Sequence, residues 1–199
     1  MKRKLFIIFI AFIFYFLGGQ FIWAAEKLNT ITKRANDGDV EAQYKLGILY
    51  FTGENHTQQS YVKAAEWLQK AANKDHVYAQ FYLGILYSRG DGLPKNFSKA
   101  AEWIGKASEK GLAEAQYSLG LLYRDGNGVP KDNVNAYLWV NLALTSDNLT
   151  EEHRSIILKT RDELEAVLNE KDLTKAQEMS TAKWEDQNKG SEPLSGDER

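Results

Sequence analysis

Ala42-Gln43-Tyr44-Lys45-Leu46-Gly47 occurs three times in this chain in closely related form. The second copy is Ala79-Gln80-Phe81-Tyr82-Leu83-Gly84 and the third is Ala115-Gln116-Tyr117-Ser118-Leu119-Gly120, at spacings of 37 and 36 residues. A repeat of this length is typical of a helical solenoid, in which no unit can bury its own apolar face and stacking supplies the core. Proteins with a solenoid fold usually provide a surface that binds other molecules and seldom contain an active site.

A second phrase follows each copy of the first. Ala64-Ala65-Glu66-Trp67 returns as Ala100-Ala101-Glu102-Trp103 and, more loosely, as Ala136-Tyr137-Leu138-Trp139, every 36 residues. Two phrases in each unit predict two helices in each unit, so we predict an all-α, right-handed solenoid of three helix pairs. The repeats are expected at about residues 39–74, 75–110 and 111–146.

Glycine recurs inside the first helix of every unit, at Gly47, Gly84 and Gly120. The apolar residues of this helix cover almost its whole circumference, which predicts that it lies between two neighbouring helices. A glycine in a helix interior costs ~1 kcal/mol relative to alanine, so its return needs a compensating contact. We predict a close approach of the second helix at its alanine pair, Ala64-Ala65 or Ala100-Ala101. The recurrent tryptophans, Trp67, Trp103 and Trp139, are expected in the core.

The turns repeat as well. Gly38, Asp75 and Gly111 occupy one equivalent position, where the second helix ends and a left-handed residue is expected. Between the helices of a unit, Gly90-Asp91-Gly92-Leu93-Pro94-Lys95 matches Gly126-Asn127-Gly128-Val129-Pro130-Lys131. Asparagine tolerates positive φ, so the first repeat can use Gly53 and Asn55 at the two glycine positions.

Segments outside the repeats are predicted to cap the solenoid. Residues 26–37 are predicted to form a single helix that covers the N-terminal end with Leu28, Ile31 and Ala35. Residues 147–187 are predicted to form two C-terminal capping helices, one from Thr150 to about Asn169, the other from a capping box at Thr174 and Gln177 to about Asp186. The apolar residues expected to join them are Leu164, Val167, Leu168, Ala176, Met179 and Trp184. Residues 188–199 are polar and are expected to be disordered.

The N-terminus has the pattern of a secretory signal peptide. Lys2-Arg3-Lys4 precedes an uncharged run from Leu5 to Leu17, and Ala24-Ala25 follows. The uncharged span of 21 residues, from Leu5 to Ala25, is also long enough to cross a bilayer without cleavage. Both alternatives export the rest of the chain, to the periplasm or the medium after cleavage, or anchored in the inner membrane.

Charge and cysteine content restrict the partners. The chain has 25 basic and 27 acidic residues. Residues 1–25 hold three of the basic ones and no acidic one, so the remainder has a net charge of −5. This balance argues against a nucleic-acid partner. The chain has no cysteine, which excludes disulfides and a cysteine-linked lipid anchor, so membrane contact is expected only through an uncleaved N-terminal segment.

The repeated phrases resemble the Sel-one-like repeat (SLR) family, which is related to the tetratricopeptide repeat. The resemblance covers about residues 39–146, and its marks are the AQYxLGxLY pattern, the GxG(L/V)PK loop and the AAEW opening of the second helix. It implies binding of another protein, as a periplasmic adaptor, a regulator of envelope signalling or a secreted factor that contacts host proteins. Exported relatives that bind penicillin are cysteine-rich, and this chain lacks that feature.

The alternative is a cell-envelope enzyme of the penicillin-binding or β-lactamase type, acting on β-lactams or peptidoglycan. Ser60-Tyr61-Val62-Lys63 and Ser180-Thr181-Ala182-Lys183 match the S-x-x-K motif of such enzymes, and Ser146-Asp147-Asn148 matches S-D-N. The K-T-G motif is missing, since Lys159-Thr160 is followed by Arg161. We expect Ser60 and Ser146 to lie two stacking steps of ~10 Å apart, beyond hydrogen-bond reach. The sequence therefore favours a non-enzymatic protein.

Metal and cofactor signatures are weak. His56, His76 and His153 lack ligand spacing and are expected to be solvated surface residues. Asp125-Gly126-Asn127-Gly128 suggests a calcium loop, but the downstream glutamate ligand is missing. There is no Walker loop. We therefore expect no metal and no cofactor.

A candidate binding surface follows from the helical positions −1, +3 and +10 relative to the first alanine of each unit. These positions share one side of the first helix, which lines the concave face in helical solenoids. Tyrosine and arginine are common binding anchors, and the middle repeat supplies three, Tyr78, Tyr82 and Arg89. The candidates for the whole chain are Lys45, Tyr78, Tyr82, Arg89, Ser118 and Asp125. The alternative interpretation is ordinary solvated positions, with the tyrosines leaning on neighbouring helices.

Overall fold

The computed structural model of this protein describes residues 28–54 and 57–189. In these residues the chain forms nine helices and no strand, which confirms the all-α repeat architecture. The described part of α1 is residues 28–36. The others are α2 (Val40–Thr52), α3 (Tyr61–Ala72), α4 (Val77–Arg89), α5 (Phe97–Glu109), α6 (Ala113–Asp125), α7 (Asn133–Ala143), α8 (Glu151–Glu165) and α9 (Glu170–Asn188). Contacts divide the chain into two compact units, Met1–His76 and Val77–Arg199.

Two terminal predictions fall partly or wholly outside this range. The signal peptide or anchor of residues 1–25 lies outside the described residues, as do residues 190–199 of the predicted disordered tail. Asn188, where that tail was predicted to begin, is the last residue of α9. The helix therefore continues about two residues beyond the predicted end at Asp186.

In the first unit, α1 packs against α2 and α3. Ala35, Ala42 and Leu46 form a buried cluster, and the partly buried residues packed against it are Leu28, Ile31, Tyr50 and Trp67. The Asp39 carboxylate caps α2 by accepting a hydrogen bond from the Ala42 amide at 2.9 Å. The prediction that Leu28, Ile31 and Ala35 cover this end is confirmed for the described part of α1.

In the second unit, α4 pairs with α5 and α6 pairs with α7, while α5 also packs against α6. The helix glycines lie at the centre of these pairs. A Cβ atom on Gly84 would lie 2.5 Å from Ile104 Cγ1 and 3.1 Å from the Ala100 carbonyl oxygen. The same contact recurs between Gly120 and Val140 (2.6 Å) and, in the first unit, between Gly47 and Leu68 (2.7 Å). The close approach is confirmed, but the side chains that make it come one turn after the alanine pair.

The turns follow the predicted pattern. Gly38, Asp75 and Gly111 have φ angles of +93°, +66° and +80°, as expected for left-handed residues after a helix. Gly128 has φ +78° and packs directly on the Phe97 backbone at the start of α5, where any side chain would overlap the Phe97 carbonyl. The loop between α6 and α7 is therefore held against α5. Asn55 lies outside the described residues.

Both C-terminal helices pack on α7. α8 begins at the predicted place, because the Thr150 hydroxyl accepts a hydrogen bond from the His153 amide at 3.2 Å. The predicted start of α9 at Thr174 was wrong. Asn169 caps α9 instead, by accepting from the Asp172 amide at 2.9 Å, and Thr174 lies inside the helix.

The contact of α9 is more polar than predicted. Leu164 and Ala176 are buried, but Val167 and Trp184 are 65% and 45% exposed, so the prediction that these two help to join the C-terminal helices was wrong. The side of α9 that faces the protein carries Ser180, which is buried and donates to the Ala176 carbonyl. Trp184 lies at the edge of that side, about 80° around the helix from Ala176 at 100° per residue.

Candidate protein-binding surface

Three residues of the candidate surface, Tyr78, Tyr82 and Arg89, share one side of α4. The intervals of four and eleven residues place the three side chains within about 40° of one another around the helix. Tyr78 is 50% exposed, Arg89 is exposed and Tyr82 is half-buried with its ring against Phe81 at 5.7 Å between centroids. An exposed aromatic ring and a guanidinium group on the same side of one helix are chemistry suited to a protein partner.

The α6 residues of the candidate surface already have local partners. The Ser118 hydroxyl donates to the Glu114 carbonyl at 2.7 Å. Both carboxylate oxygens of Asp125 accept from Arg124, at 2.8 and 3.2 Å, and this pairing raises the pKa of Arg124. These residues contribute a neutral, hydrogen-bonded surface rather than a charged one.

Lys45 lies on α2 in the first unit, where it pairs with Glu41 at 3.1 Å. Hydrogen bonds from Lys45 and then His76 lower the pKa of Glu41. The His76 ring stacks on Tyr44 with 4.3 Å between centroids, and its side chain is only 15% exposed. The prediction of a solvated His76 was therefore wrong, since its ring is held between a carboxylate and an aromatic ring.

The serines of the S-x-x-K and S-D-N matches serve as structural residues. Ser60 caps α3, where its hydroxyl accepts from the Lys63 amide at 3.4 Å, while the Lys63 amine lies 5.1 Å from the centre of the Tyr50 ring. Ser180 is buried within α9. The Ser146 hydroxyl accepts from the Asn148 amide at 3.4 Å. Each of these hydroxyls thus has a local structural partner.

Within residues 28–54 and 57–189, no group of three or more histidine, cysteine, aspartate or glutamate side chains is placed to hold a metal ion. His56 lies outside the described residues, and His153 is exposed at the start of α8. The glycines of the Asp125-to-Gly128 segment serve the turn, since Gly126 ends α6 with φ +71°. No helix in this part of the chain is long and apolar enough to span a membrane.

The glutamine of the repeated phrase has a structural role that the sequence patterns above did not predict. Gln43 is buried, and its side-chain amide donates to the Ala35 carbonyl at 3.1 Å, at the end of the preceding helix. Gln116 makes the equivalent bond to the Ser108 carbonyl at 3.4 Å. Its recurrence at an apolar position was a signal, because a buried amide needs a hydrogen-bond partner. The glutamine joins one repeat to the end of the previous helix.

The recurrent tryptophans are not all core residues. Trp139 is buried, but Trp67 and Trp103 are half-buried, with Lys70 and Lys106 amines 3.8 and 4.0 Å from their ring centres. Trp139 is covered because α9 packs on α7 and places Lys183 over its ring at 5.0 Å. The prediction for Trp67 and Trp103 was therefore wrong in degree, since a lysine of the same helix covers only part of each ring.

Comparisons with known proteins agree with this architecture. The Sel1 repeat family model matches residues 40–76, 77–112 and 113–148. The chain is similar to a Sel1 repeat protein from Oxalobacter formigenes, with 33% identity and a TM-score of 0.57 over 67% of this chain and 98% of that one. It is also similar to a protective antigen with an SLR fold that is present in uropathogenic Escherichia coli strains, with 28% identity and a TM-score of 0.57.

That second similarity covers 81% of this chain but 43% of the antigen, so the chain spans less than half of that protein's length. None of the curated proteins matches the chain. Sel1 repeats indicate a protein–protein interaction module, and proteins built from them are typically non-catalytic scaffolds.

Proposed function

Because this chain belongs to the Sel1 repeat family, we propose that it is an exported, non-enzymatic adaptor or regulator that binds another protein. The observation that carries the proposal is the side of α4 with Tyr78, Tyr82 and Arg89, where an aromatic ring is half exposed on a helix of a protein-binding repeat. Ser118 and Asp125 lie at the corresponding positions of α6 in the same unit, and Lys45 lies at the corresponding position of α2 in the first unit.

The physical argument concerns desolvation. A half-exposed tyrosine ring offers a large apolar area and a hydrogen-bonding hydroxyl to a partner, and tyrosine loses little side-chain entropy when it is covered. Arg89 adds hydrogen-bond donors in a fixed planar arrangement at the other end of α4. The surface therefore supports recognition of a polypeptide that carries both apolar and acidic or carbonyl groups.

Export is supported by the signal-peptide pattern of residues 1–25. We propose the periplasm or the medium as the location, with an inner-membrane anchor as the outcome if the segment is not cleaved. The similarity to a protein described as a protective antigen is compatible with export. The net charge of −5 after residue 25 supports a protein rather than a nucleic acid as partner.

The test is site-specific crosslinking in cells from position 82, with a photo-reactive residue at exposed position 178 on α9 as the control. We expect a crosslinked protein from position 82 only, identified by mass spectrometry. Tyr78→Ala should then weaken binding of that purified protein by ~2 kcal/mol or more, about thirtyfold, and change the stability of the chain by no more than ~0.5 kcal/mol. Unchanged binding with normal folding would remove α4 from the interface.

Fractionation of the same cells tests export. A shortened chain in the periplasm or medium supports cleavage, whereas full-length chain in the membrane pellet supports the anchor. Recovery of full-length chain in the cytosol alone would contradict the proposal.

A further inference from the structure

We propose that a polar cavity between the ends of α5, α7 and α9 binds an arginine side chain of a partner polypeptide. The cavity has a volume of about 410 Å³ and lies wholly within the second unit. Its walls include Glu109, Asp147 and Trp184. The proposal rests on the protein-binding function above but concerns a different surface from the α4 side.

The cavity wall is held in place by side-chain bonds to helix ends. The Gln187 amide donates to the Ser108 and Glu109 carbonyls at 3.1 Å each, at the end of α5, and its oxygen accepts from Gln116 at 3.1 Å. Arg154 donates to the Leu144 and Ser146 carbonyls at 3.0 Å each, which fixes the turn after α7. A cavity with its walls already ordered loses little conformational entropy when a ligand binds.

The cavity offers an acceptor for a cation. Its wall includes Glu109, the last residue of α5, where the helix end carries partial negative charge, and residues 145–148 of the turn after α7. Asp147 is exposed, and in the part of the chain that the structure describes its carboxylate has no hydrogen-bond or ion-pair partner. Glu109 is neutralised by Lys183, and Lys110 is the basic residue of the wall. Asp147 is thus the carboxylate available to a ligand.

Trp184 supplies the second recognition element. Of the four tryptophans among the described residues, Trp67, Trp103 and Trp139 each have a lysine amine 3.8 to 5.0 Å from the ring centre. Trp184 is 45% exposed, and no lysine or arginine of the described residues lies over its ring. The protein therefore satisfies three of these rings with an internal cation and leaves the ring in the cavity wall for an external one.

Arginine fits this combination better than lysine. A guanidinium plane can stack on an indole ring while its edge donates two parallel hydrogen bonds to a carboxylate, and a lysine amine has no such plane. The volume of about 410 Å³ admits an arginine side chain together with its backbone. The occupant is therefore an exposed arginine on a partner protein.

The test is an NMR titration of the ¹⁵N-labelled chain with N-acetyl-arginine amide, and with the neutral N-acetyl-citrulline amide as the matched probe. We expect saturable shifts of the Trp184 indole N–H and of the Asp147 and Asn148 amides with the arginine probe only. Asp147→Asn should weaken binding about tenfold. Glu178→Gln, which removes the same charge from an exposed position of α9 outside the cavity, should leave it unchanged.

Equal shifts with both probes, or equal affinities of Asp147→Asn and Glu178→Gln, would overturn the proposal, and so would the absence of saturable shifts. The titration uses no natural partner and no residue of α4. Its failure would therefore leave binding through Tyr78 intact, and Tyr78→Ala should leave the titration unchanged.

Discussion

Replacing Gly84 with alanine tests whether close helix packing is what the repeat preserves. The new Cβ would lie 2.5 Å from Ile104 Cγ1, 3.1 Å from the Ala100 carbonyl oxygen and 3.2 Å from the Ile104 amide nitrogen. Two of these atoms belong to the backbone, and Ile104 is 3% exposed, so the neighbours have little room to move. We expect the two helices to separate at a cost of ~1–3 kcal/mol, close to the upper value.

Gly105→Ala is the matched control within the same helix pair. Gly105 lies inside α5, and a Cβ there meets no atom within 4 Å. Both substitutions gain the ~1 kcal/mol by which alanine exceeds glycine in a helix, so this contribution cancels in their comparison. Gly105→Ala should therefore stabilise the chain by up to ~1 kcal/mol, while Gly84→Ala should destabilise it by about 2 kcal/mol.

The assay is urea unfolding followed by circular dichroism at the helix band, supported by thermal melting. A difference of ~3 kcal/mol between the variants corresponds to roughly 6–12 °C in a chain of this size. In the double variant with Ile104→Ala, part of the cost of Gly84→Ala should disappear, because the overlapping side chain is gone. If Gly84→Ala is as stable as Gly105→Ala, the close contact is not a requirement of the fold and the reasoning fails.

Three further predictions concern the second unit. Gly128→Ala should destabilise the chain clearly more than Gly111→Ala in urea unfolding, because both glycines have positive φ but only Gly128 would overlap a neighbouring carbonyl. Gln187→Ala should cost ~1–2 kcal/mol and raise hydrogen exchange in α9, since it removes two bonds to the end of α5; faster exchange confined to the first unit would contradict this. Burial raises the pKa of Asp132, but hydrogen bonds from the Asn135 amide, its side chain and the Val134 amide outweigh burial and hold the pKa below its usual value. The ionised carboxylate thus stabilises the chain above the unfolded pKa of about 3.9, and this stability is lost as the pH falls through the lower folded value. Asp132→Asn should flatten the decline in urea midpoint below about pH 4, and an unchanged slope would show that Asp132 is not responsible.

Much of the fold could be predicted because the residues that each packing contact requires recur in all three repeats. A positive φ requires glycine or a turn residue, as at Gly38, Asp75 and Gly111. A close helix contact requires glycine, as at Gly84. Each requirement involves one residue or one pair of helices and is therefore visible in the sequence. The start of α8 was predictable for the same reason, since Thr150 caps its own helix. The start of α9 was not, because Asn169 and Thr174 are both plausible caps and only packing on α7 selects between them.

The sequence predicts which residues share one side of α4, but not the contacts that the candidate residues make. Helical spacing places Tyr78, Tyr82 and Arg89 along one side of α4. The pairing of Asp125 with Arg124 could not be inferred from that spacing, because the rotamers of charged surface residues depend on their neighbours.

The all-α repeat architecture, the paired helices and the left-handed turns could be predicted from local patterns, because periodicity and glycine placement act over a few residues or one repeat. The burial of the tryptophans depends instead on how distant helices pack. Trp67, Trp103 and Trp139 occupy equivalent positions, yet only Trp139 is buried, because α9 packs on α7 and supplies Lys183 from more than 40 residues away. The cavity beside Trp184 arises from the same docking of α9, since the ends of three helices meet only after the chain has folded.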